Sequence, residues 1–213
     1  MSDFYFIKKK STGGVTPPVD PGTGVTFTGG DPIWGHNLST TWTVPEGCTS
    51  VKIECWGHGG SGAYGSFVGE VGGGGGGYNT HTMNVSAGSI YTVKIGDPDN
   101  PASKNVRTNS PAYVASGTTY YAKAESGYAA AESGYGPTGG GGGSYECLYS
   151  GGDGDVGYGG GSAGNEGNAS GSSGGAGLSG NGDTGSGPGF PGGGANGEAE
   201  GAYGYIIIHY NPS

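Results

Sequence analysis

The residues best suited to catalysis or metal binding are four histidines, and their spacing favours neither role. They are His36, His58, His81 and His209. Zinc ligands usually recur within a few residues of one another, and these histidines do not. The chain contains many serines, but none lies in the context of a nucleophile elbow, so no Ser–His–Asp triad is indicated. We expect each histidine to be a hydrogen-bonded residue of a sheet or loop.

Two aspartates alternate with glycine in residues 152–157, which read Gly-Asp-Gly-Asp-Val-Gly and formally match the phosphate-binding pattern G-x-G-x-x-G. Phosphate binding by that pattern requires a helix N-terminus, and no helix-forming stretch follows. The calcium-binding nonapeptide is also a poor match, because the second aspartate comes one residue early and the unit is not repeated. We predict no metal and no cofactor, with one calcium ion at Asp153 and Asp155 as the minor alternative.

Three cysteines, Cys48, Cys55 and Cys147, are further candidates for metal binding or for a disulfide. Their number is odd, and they lack the C-x-x-C spacing of a zinc site. Buried free thiols are therefore the favoured interpretation, and a disulfide remains the alternative.

Tyrosine offers the most informative chemistry for binding, with 15 residues against 5 phenylalanines. The pentapeptide Ala-Glu-Ser-Gly-Tyr occurs at residues 124–128 and again at 131–135. Binding loops favour tyrosine because it gives a large, rigid contact with few rotatable bonds. We predict a receptor-binding surface that contains Tyr120, Tyr121, Tyr128 and Tyr135. The alternative is that these side chains pack along the glycine-rich region and fill the space that glycine leaves.

The composition excludes several classes of protein. The 213 residues include 55 glycines and 12 prolines, a content typical of low complexity or disorder unless the glycines follow a period. The net charge of −9 arises from scattered acidic residues without a basic stripe, so we expect no nucleic-acid partner. The apolar runs are too short for a membrane span or the core of a signal peptide, so we expect no membrane insertion.

Residues 1–10 predict a short strand that docks onto a partner protein. Phe4, Tyr5, Phe6 and Ile7 alternate in it, and residues 11–24 form a semi-extended linker rich in proline and glycine. A strand held away from the body in this way cannot bury itself there. It suits addition to the sheet edge of a partner, and the alternative is a frayed terminus.

Alternating strands follow this linker and predict an all-β domain over residues 25–213. Val51, Ile53 and Cys55 share one face of a strand, with Lys52 and Glu54 on the other. Further strands are predicted at residues 40–44, 78–85, 90–95 and 203–210, with residues 86–89 as the turn of a hairpin. These segments predict a small antiparallel β-sandwich with one modest core.

Glycine recurs at every third position within residues 151–201, in short registers that restart several times. Three residues per turn is the period of the polyproline II helix. A collagen triple helix would need one unbroken register, so the restarts predict turns between short antiparallel rods. Bundled rods can satisfy one another's backbone N–H and C=O groups. We therefore predict a polyglycine II bundle inserted into the sandwich, and the alternative is a flexible exposed loop.

Three segments resemble the glycine-rich domains of bacteriophage tail proteins. Residues 41–53 read Thr-Trp-Thr-Val-Pro-Glu-Gly-Cys-Thr-Ser-Val-Lys-Ile and precede a glycine tract, residues 91–96 read Tyr-Thr-Val-Lys-Ile-Gly, and residues 201–208 close the domain. The predicted architecture is also similar to that of the host-recognition adhesins at the tips of T-even phage long tail fibres. In that group, rigid glycine rods present loops at one end to the host receptor.

This resemblance implies a non-enzymatic protein of the virion surface, a tail fibre or tail tip adhesin that is synthesised in the host cytoplasm. Its expected partners are other virion proteins, bound through residues 1–10, and a host-cell surface receptor, either an outer-membrane protein or a glycan. A structural virion component, such as a capsid decoration or baseplate spacer, is the alternative. An ice-binding protein is disfavoured, because residues 151–201 contain one threonine, Thr184, and no regular face of small residues.

Overall fold

The computed structural model describes residues 24–28, 38–65, 69–96, 111–130, 147–182, 184–185, 188–197 and 199–211. The predicted docking residues Phe4, Tyr5, Phe6 and Ile7, the predicted linker before Gly24, and Tyr135 lie outside the described residues. The roles assigned to them from the sequence remain predictions.

Strands are the regular elements of the described residues, which confirms the all-β prediction. They are β1 (Gly24–Thr28), β2 (Leu38–Thr43), β3 (Ser50–Trp56), β4 (Ala63–Gly65), β5 (Gly69–Val71), β6 (Tyr78–Asn84), β7 (Ile90–Ile95), β8 (Ala112–Ser116), β9 (Thr119–Ala124) and β10 (Tyr205–Tyr210). Sheet A has the order β1-β10-β3-β6, sheet B has the order β2-β7-β8-β9, and β4 pairs with β5 alone. The neighbouring strands are antiparallel throughout, as the sandwich prediction requires.

The hydrophobic core lies between sheets A and B. Val51 and Ile53 of β3 belong to one hydrophobic cluster with Val93 and Ile95 of β7, and all four side chains are fully buried. These are the alternate positions that the period of two predicts. Burial of each such side chain contributes roughly 1.5–3 kcal/mol, so this cluster stabilises the sandwich through the hydrophobic effect.

The turn at residues 86–89 does not form the predicted hairpin. Strand β6 pairs with β3 in sheet A, whereas β7 pairs with β2 in sheet B, so this turn crosses from one sheet to the other. The turn that contains Gly47 crosses between β2 and β3 in the same way, and Gly47 and Gly88 both have φ of 81°. The amide of Gly88 donates to the Val44 carbonyl at 2.9 Å, so the two crossings support each other. The prediction was wrong because alternation alone does not reveal whether adjacent strands share a sheet.

The pair β8 and β9 is a hairpin that the sequence reasoning missed. Its inward positions are occupied mainly by alanine, including Ala112, Ala122 and Ala124, all of which are buried. Alanine is a weak signal of a strand. Gly117, with φ of 57°, lies in the connecting turn.

Four strands are directly continuous with segments of the bundle, which we call rods. Strand β3 continues into rod 57–62, β9 continues into rod 125–130, rod 72–77 leads into β6, and rod 199–204 leads into β10. The predicted bundle covered residues 151–201 and omitted the first three of these rods. The sandwich therefore holds one end of the bundle through strands of both sheets.

Candidate functional site

The central element of the bundle is rod 72–77, a run of six glycines that are all buried. Its amides donate to three neighbouring segments, and each segment receives two hydrogen bonds from glycines three residues apart. Gly72 and Gly75 donate to the carbonyls of Asp155 and Gly152, respectively. Gly73 and Gly76 donate to the carbonyls of Ala195 and Gly192. Gly74 and Gly77 donate to the carbonyls of Tyr128 and Glu125. The spacing of three is that of a helix with three residues per turn.

The carbonyls of the central rod show the same period. Gly73 and Gly76 accept hydrogen bonds from the amides of Gly160 and Ala163, both at 2.8 Å. Gly74 and Gly77 accept from Gly60 and Gly57 at 2.8 and 3.0 Å. Five segments therefore surround the central rod and bond laterally to its six amides and to four of its carbonyls, as predicted for a polyglycine II bundle.

Only glycine allows the backbones of this bundle to approach so closely. A Cβ atom at Gly75 would overlap the carbonyl oxygen of Gly161, and one at Gly72 would overlap that of Tyr158. These neighbours are backbone atoms, which cannot rotate away as a side chain can.

One buried imidazole lies within the bundle. His58 has no exposed surface, and its Nδ1–H donates to the Gly59 carbonyl at 2.9 Å. Its Nε2 atom has no hydrogen-bond partner among the described residues. Burial lowers the pKa of His58 to about 4, although the hydrogen bond to Gly59 opposes the shift. The side chain is thus neutral at physiological pH.

The end of the bundle far from the sheets is a cluster of turns, which we call the distal end. Gly72 marks this end of the central rod, because the rod enters β6 at its other end. Near Gly72, the amide of Gly157 donates to the Glu70 carbonyl at 3.0 Å, and Val71 bridges to Val156. Hydrogen bonds between turns therefore order this part of the surface.

Two side chains at the distal end are hydrogen-bonded to each other, and two others are exposed. The Asn196 amide donates to Glu70 Oε2 at 2.8 Å, which joins the turn near residue 196 to β5. Tyr64 and Val156 expose 57% and 51% of their surface. Sequence reasoning did not select this surface, because its members come from segments far apart in the chain.

The three described tyrosines of the predicted receptor surface lie in different settings. Tyr120 is exposed on the outer face of sheet B. A β-bulge between β8 and β9 turns Tyr121 toward Tyr91, with ring centroids 5.5 Å apart. Tyr128 lies in rod 125–130, and its hydroxyl donates to Glu125 Oε1 one turn earlier. Tyr121 therefore packs within the sandwich, and Tyr128 has a partner within the bundle.

A buried carboxylate on the outer face of sheet A is the centre of a polar cluster. Glu54 accepts hydrogen bonds from the Tyr78 hydroxyl and from His209 Nε2, both at 2.6 Å, and pairs with Lys52 Nζ at 3.1 Å. Burial raises the pKa of Glu54, but these three partners outweigh burial and hold the pKa below its usual range. Both carboxylate oxygens are occupied, so the cluster joins three strands and offers no open position.

All three cysteines are free thiols, which agrees with the favoured prediction. Cys48 and Cys55 are buried, and burial raises the pKa of both thiols. Cys147 is half-buried, and its Sγ atom accepts a hydrogen bond from the Glu125 amide at 3.2 Å.

The described residues contain no group of three or more histidine, cysteine, aspartate or glutamate side chains arranged to hold a metal ion. Within the same residues, no helix has the length and apolar character needed to cross a membrane.

Comparison with known families identifies a glycine-rich domain. A family model described as a glycine-rich domain matches residues 35–211, so the chain belongs to this family of glycine-rich domains. None of the curated proteins compared with the chain matches it.

Proposed function

We propose that this chain is a non-enzymatic bacteriophage virion protein, a tail fibre or tail tip adhesin, whose distal end binds a receptor on the host-cell surface. The observation that carries the proposal is the hydrogen bonding of the central rod, with two bonds to each of three neighbours at a spacing of three residues. A bundle bonded in this way is stiff along its length and holds its terminal turns in place.

The distal end suits receptor binding because its turns are already ordered. Glu70 connects to Gly157 through its backbone and to Asn196 through its side chain. Ordering loops before binding reduces the conformational entropy that binding must remove. Tyr64 and Val156 then supply exposed apolar contacts of the kind that anchor an interface.

The resemblance of residues 41–53, 91–96 and 201–208 to phage tail domains supports the virion assignment. In this proposal, residues 1–10 attach the domain to other virion proteins, and the distal end points away from the particle. Synthesis in the host cytoplasm also suits three free thiols, since disulfides are rare in that compartment.

The test is competition between the purified protein and intact phage for adsorption to susceptible cells. The double variant Tyr64→Ser/Val156→Ser removes both distal contacts. We expect competition to weaken by about 10- to 100-fold, since two anchors together contribute roughly 1.4–2.8 kcal/mol. Ile90→Ser is the matched control, because Ile90 is 61% exposed and follows the turn at the opposite end of the sandwich.

Equal loss of competition in the Ile90→Ser control would contradict a distal contact. A wild-type protein that is incorporated into particles but never competes would instead favour the structural role of a spacer or decoration protein. Thermal melting of each variant separates loss of binding from loss of folding.

A further inference from the structure

The outer face of sheet B carries an aromatic and basic cluster, which we call the tyrosine–lysine face. It consists of Lys94, Tyr113, Tyr120 and Lys123. In the sheet register, Tyr113 of β8 lies between Lys94 of β7 and Lys123 of β9. Direct cross-strand partners project from the same side of a sheet. The buried Val93 and Val114 fill the other side, so these three side chains point outward.

The two aromatic rings and Lys123 are already in contact. Tyr113 and Tyr120 meet edge to face, with ring centroids 5.0 Å apart and an interplanar angle of 90°. The Lys123 ammonium lies 5.3 Å from the centroid of the Tyr120 ring. Tyr120 nevertheless exposes 54% of its surface, so the cluster is both organised and accessible.

The three strands of this face together carry basic residues, whereas the whole molecule is acidic. The chain has 17 acidic residues against 8 lysines and arginines. Strands β7, β8 and β9 contain Lys94 and Lys123 and no acidic residue. Two lysines within three neighbouring strands that contain no acidic residue favour an anionic ligand.

We propose that the tyrosine–lysine face binds an anionic saccharide, meaning a sugar that carries a carboxylate or phosphate group. An exposed tyrosine ring presents an amphipathic surface on which a sugar ring can lie, and the lysine ammonium groups pair with the anionic substituent. Lys94 and Lys123 stand two strands apart, roughly 10 Å, which is the size of one disaccharide. Two lysines are too few for a nucleic acid, whose binding requires an extended basic stripe.

This inference goes beyond the proposed contact at the distal end. The tyrosine–lysine face belongs to the sandwich, whereas Tyr64 and Val156 belong to the far end of the bundle. The adsorption experiment and a saccharide-binding experiment can therefore fail separately.

The test is titration of the isotope-labelled full-length protein with defined sugars, followed by nuclear magnetic resonance. Digalacturonate probes the carboxylate, glucose 6-phosphate probes the phosphate, and maltose is the neutral comparison. We expect shifts at residues of β7, β8 and β9, with at least about tenfold tighter binding of one anionic sugar than of maltose. That preference should decrease as salt rises, because exposed charges are screened.

Three variants of this face and one control variant assign the binding. We expect Tyr120→Ala, and separately Lys94→Met/Lys123→Met, to weaken binding of the anionic sugar about tenfold or more. Lys94→Arg/Lys123→Arg keeps the charge and should restore binding to within about threefold of wild type. Leu178→Ala removes an exposed apolar side chain from the bundle and should leave binding unchanged. Thermal melting confirms that each variant is folded.

Several results would overturn the proposal. One is equal binding of maltose and the charged sugars, and another is no binding of any of them at millimolar concentration. A third is binding that survives both Tyr120→Ala and the double Met variant. Lysine-dependent attachment to phosphatidylglycerol vesicles, without saccharide binding, would identify the face as a membrane contact instead.

Discussion

The sandwich and the glycine bundle are ordered by opposite means. Between the sheets, apolar side chains such as Ile53 and Ile95 exclude water, and the backbone pairs within each sheet. In the bundle the interior is the backbone itself, since rod 72–77 is buried and has no side chains. A protein can therefore bury peptide groups almost alone, provided that each finds a lateral partner.

The glycine bundle gains less from hydrophobic burial than the sandwich does. Glycine loses more conformational freedom on ordering than any other residue, and it buries little apolar surface in return. The bundle must therefore depend on its hydrogen bonds and on the strands that hold its ends. The sandwich depends on side-chain volume and tolerates small backbone shifts, whereas the bundle tolerates none at its closest contacts. The following predictions test this contrast.

The largest effect is expected from adding one methyl group to the central rod. Gly75→Ala places a Cβ atom against the Gly161 carbonyl and displaces the hydrogen bond from the Gly75 amide to Gly152. We expect the free energy of unfolding to fall by about 4 kcal/mol, roughly 3 from overpacking and roughly 1 from the lost hydrogen bond. Urea unfolding followed by tryptophan fluorescence measures the change.

Gly167→Ala is the matched control for this substitution. A Cβ atom at Gly167 would lie 3.5 Å from the Ala176 Cβ atom, an ordinary contact. We expect a change within about 0.5 kcal/mol, as for surface substitutions in general. Similar losses of unfolding free energy in the two variants would show that close contact between the rod backbones does not determine the stability of the bundle.

The next effect concerns pH and the buried imidazole of the bundle. The pKa of His58 is lowered from 6.5 to about 4 in the folded chain, so the unfolded chain binds the proton more readily between these values. His58 therefore does not reduce the free energy of unfolding above pH 6.5, and this free energy decreases as the pH falls from 6.5 toward 4. The shift corresponds to about 3 kcal/mol.

The variant His58→Gln isolates this contribution, because glutamine does not titrate. We expect the wild-type free energy of unfolding to decline between pH 6.5 and 4 by about 3 kcal/mol more than that of His58→Gln. Glu54 affects stability at lower pH than His58 does, since a carboxylate with a lowered pKa loses its contribution to stability only as the pH falls through that pKa. Parallel pH profiles of wild type and His58→Gln would refute a buried neutral His58.

The smallest effect is expected at the junction of the two regions. The Trp56 indole N–H donates to the Leu178 carbonyl at 3.1 Å and thereby joins β3 to the bundle. Trp56→Phe should cost about 1–2 kcal/mol, through the lost hydrogen bond and a small cavity.

Hydrogen exchange distinguishes a junction from a general loss of stability. Trp42→Phe removes a comparable hydrogen bond, 3.2 Å to the Tyr210 hydroxyl, within the sandwich. We expect Trp56→Phe to accelerate exchange of the amides in rod 72–77, and Trp42→Phe to leave them less affected. Equal acceleration by both variants would show that sandwich and bundle open as one unit.

The sequence predicted the parts of the structure in which a period is visible. Alternation identified β3 and β7, and glycine at every third position in residues 151–201 predicted rods with three residues per turn. Rod 72–77 was missed because six consecutive glycines carry no phase, so neither a period nor a set of neighbours can be read from them. Strands β8 and β9 were missed for a similar reason, because their inward positions are mainly alanine, which gives a weak hydrophobic alternation.

The candidate binding surfaces were predicted less completely, for a related reason. Tyrosine content pointed to Tyr120, but adjacent Tyr121 faces inward because of a bulge that depends on pairing with β8. The distal end joins Tyr64, Val156 and Asn196, which are brought together by the path of the rods. The tyrosine–lysine face likewise exists through the register of three strands.

The amino-acid sequence by itself determined that the chain forms strands and glycine rods, because residue type and period limit the backbone locally. The tertiary structure alone decided which turns cross between sheets, which rod is central and which side chains share a surface. Those outcomes depend on pairing between segments distant in the chain, where many registers satisfy the same local preferences. The close approach of neighbouring backbones then selects among these registers, since a Cβ atom at a position such as Gly75 would block the contact between rods.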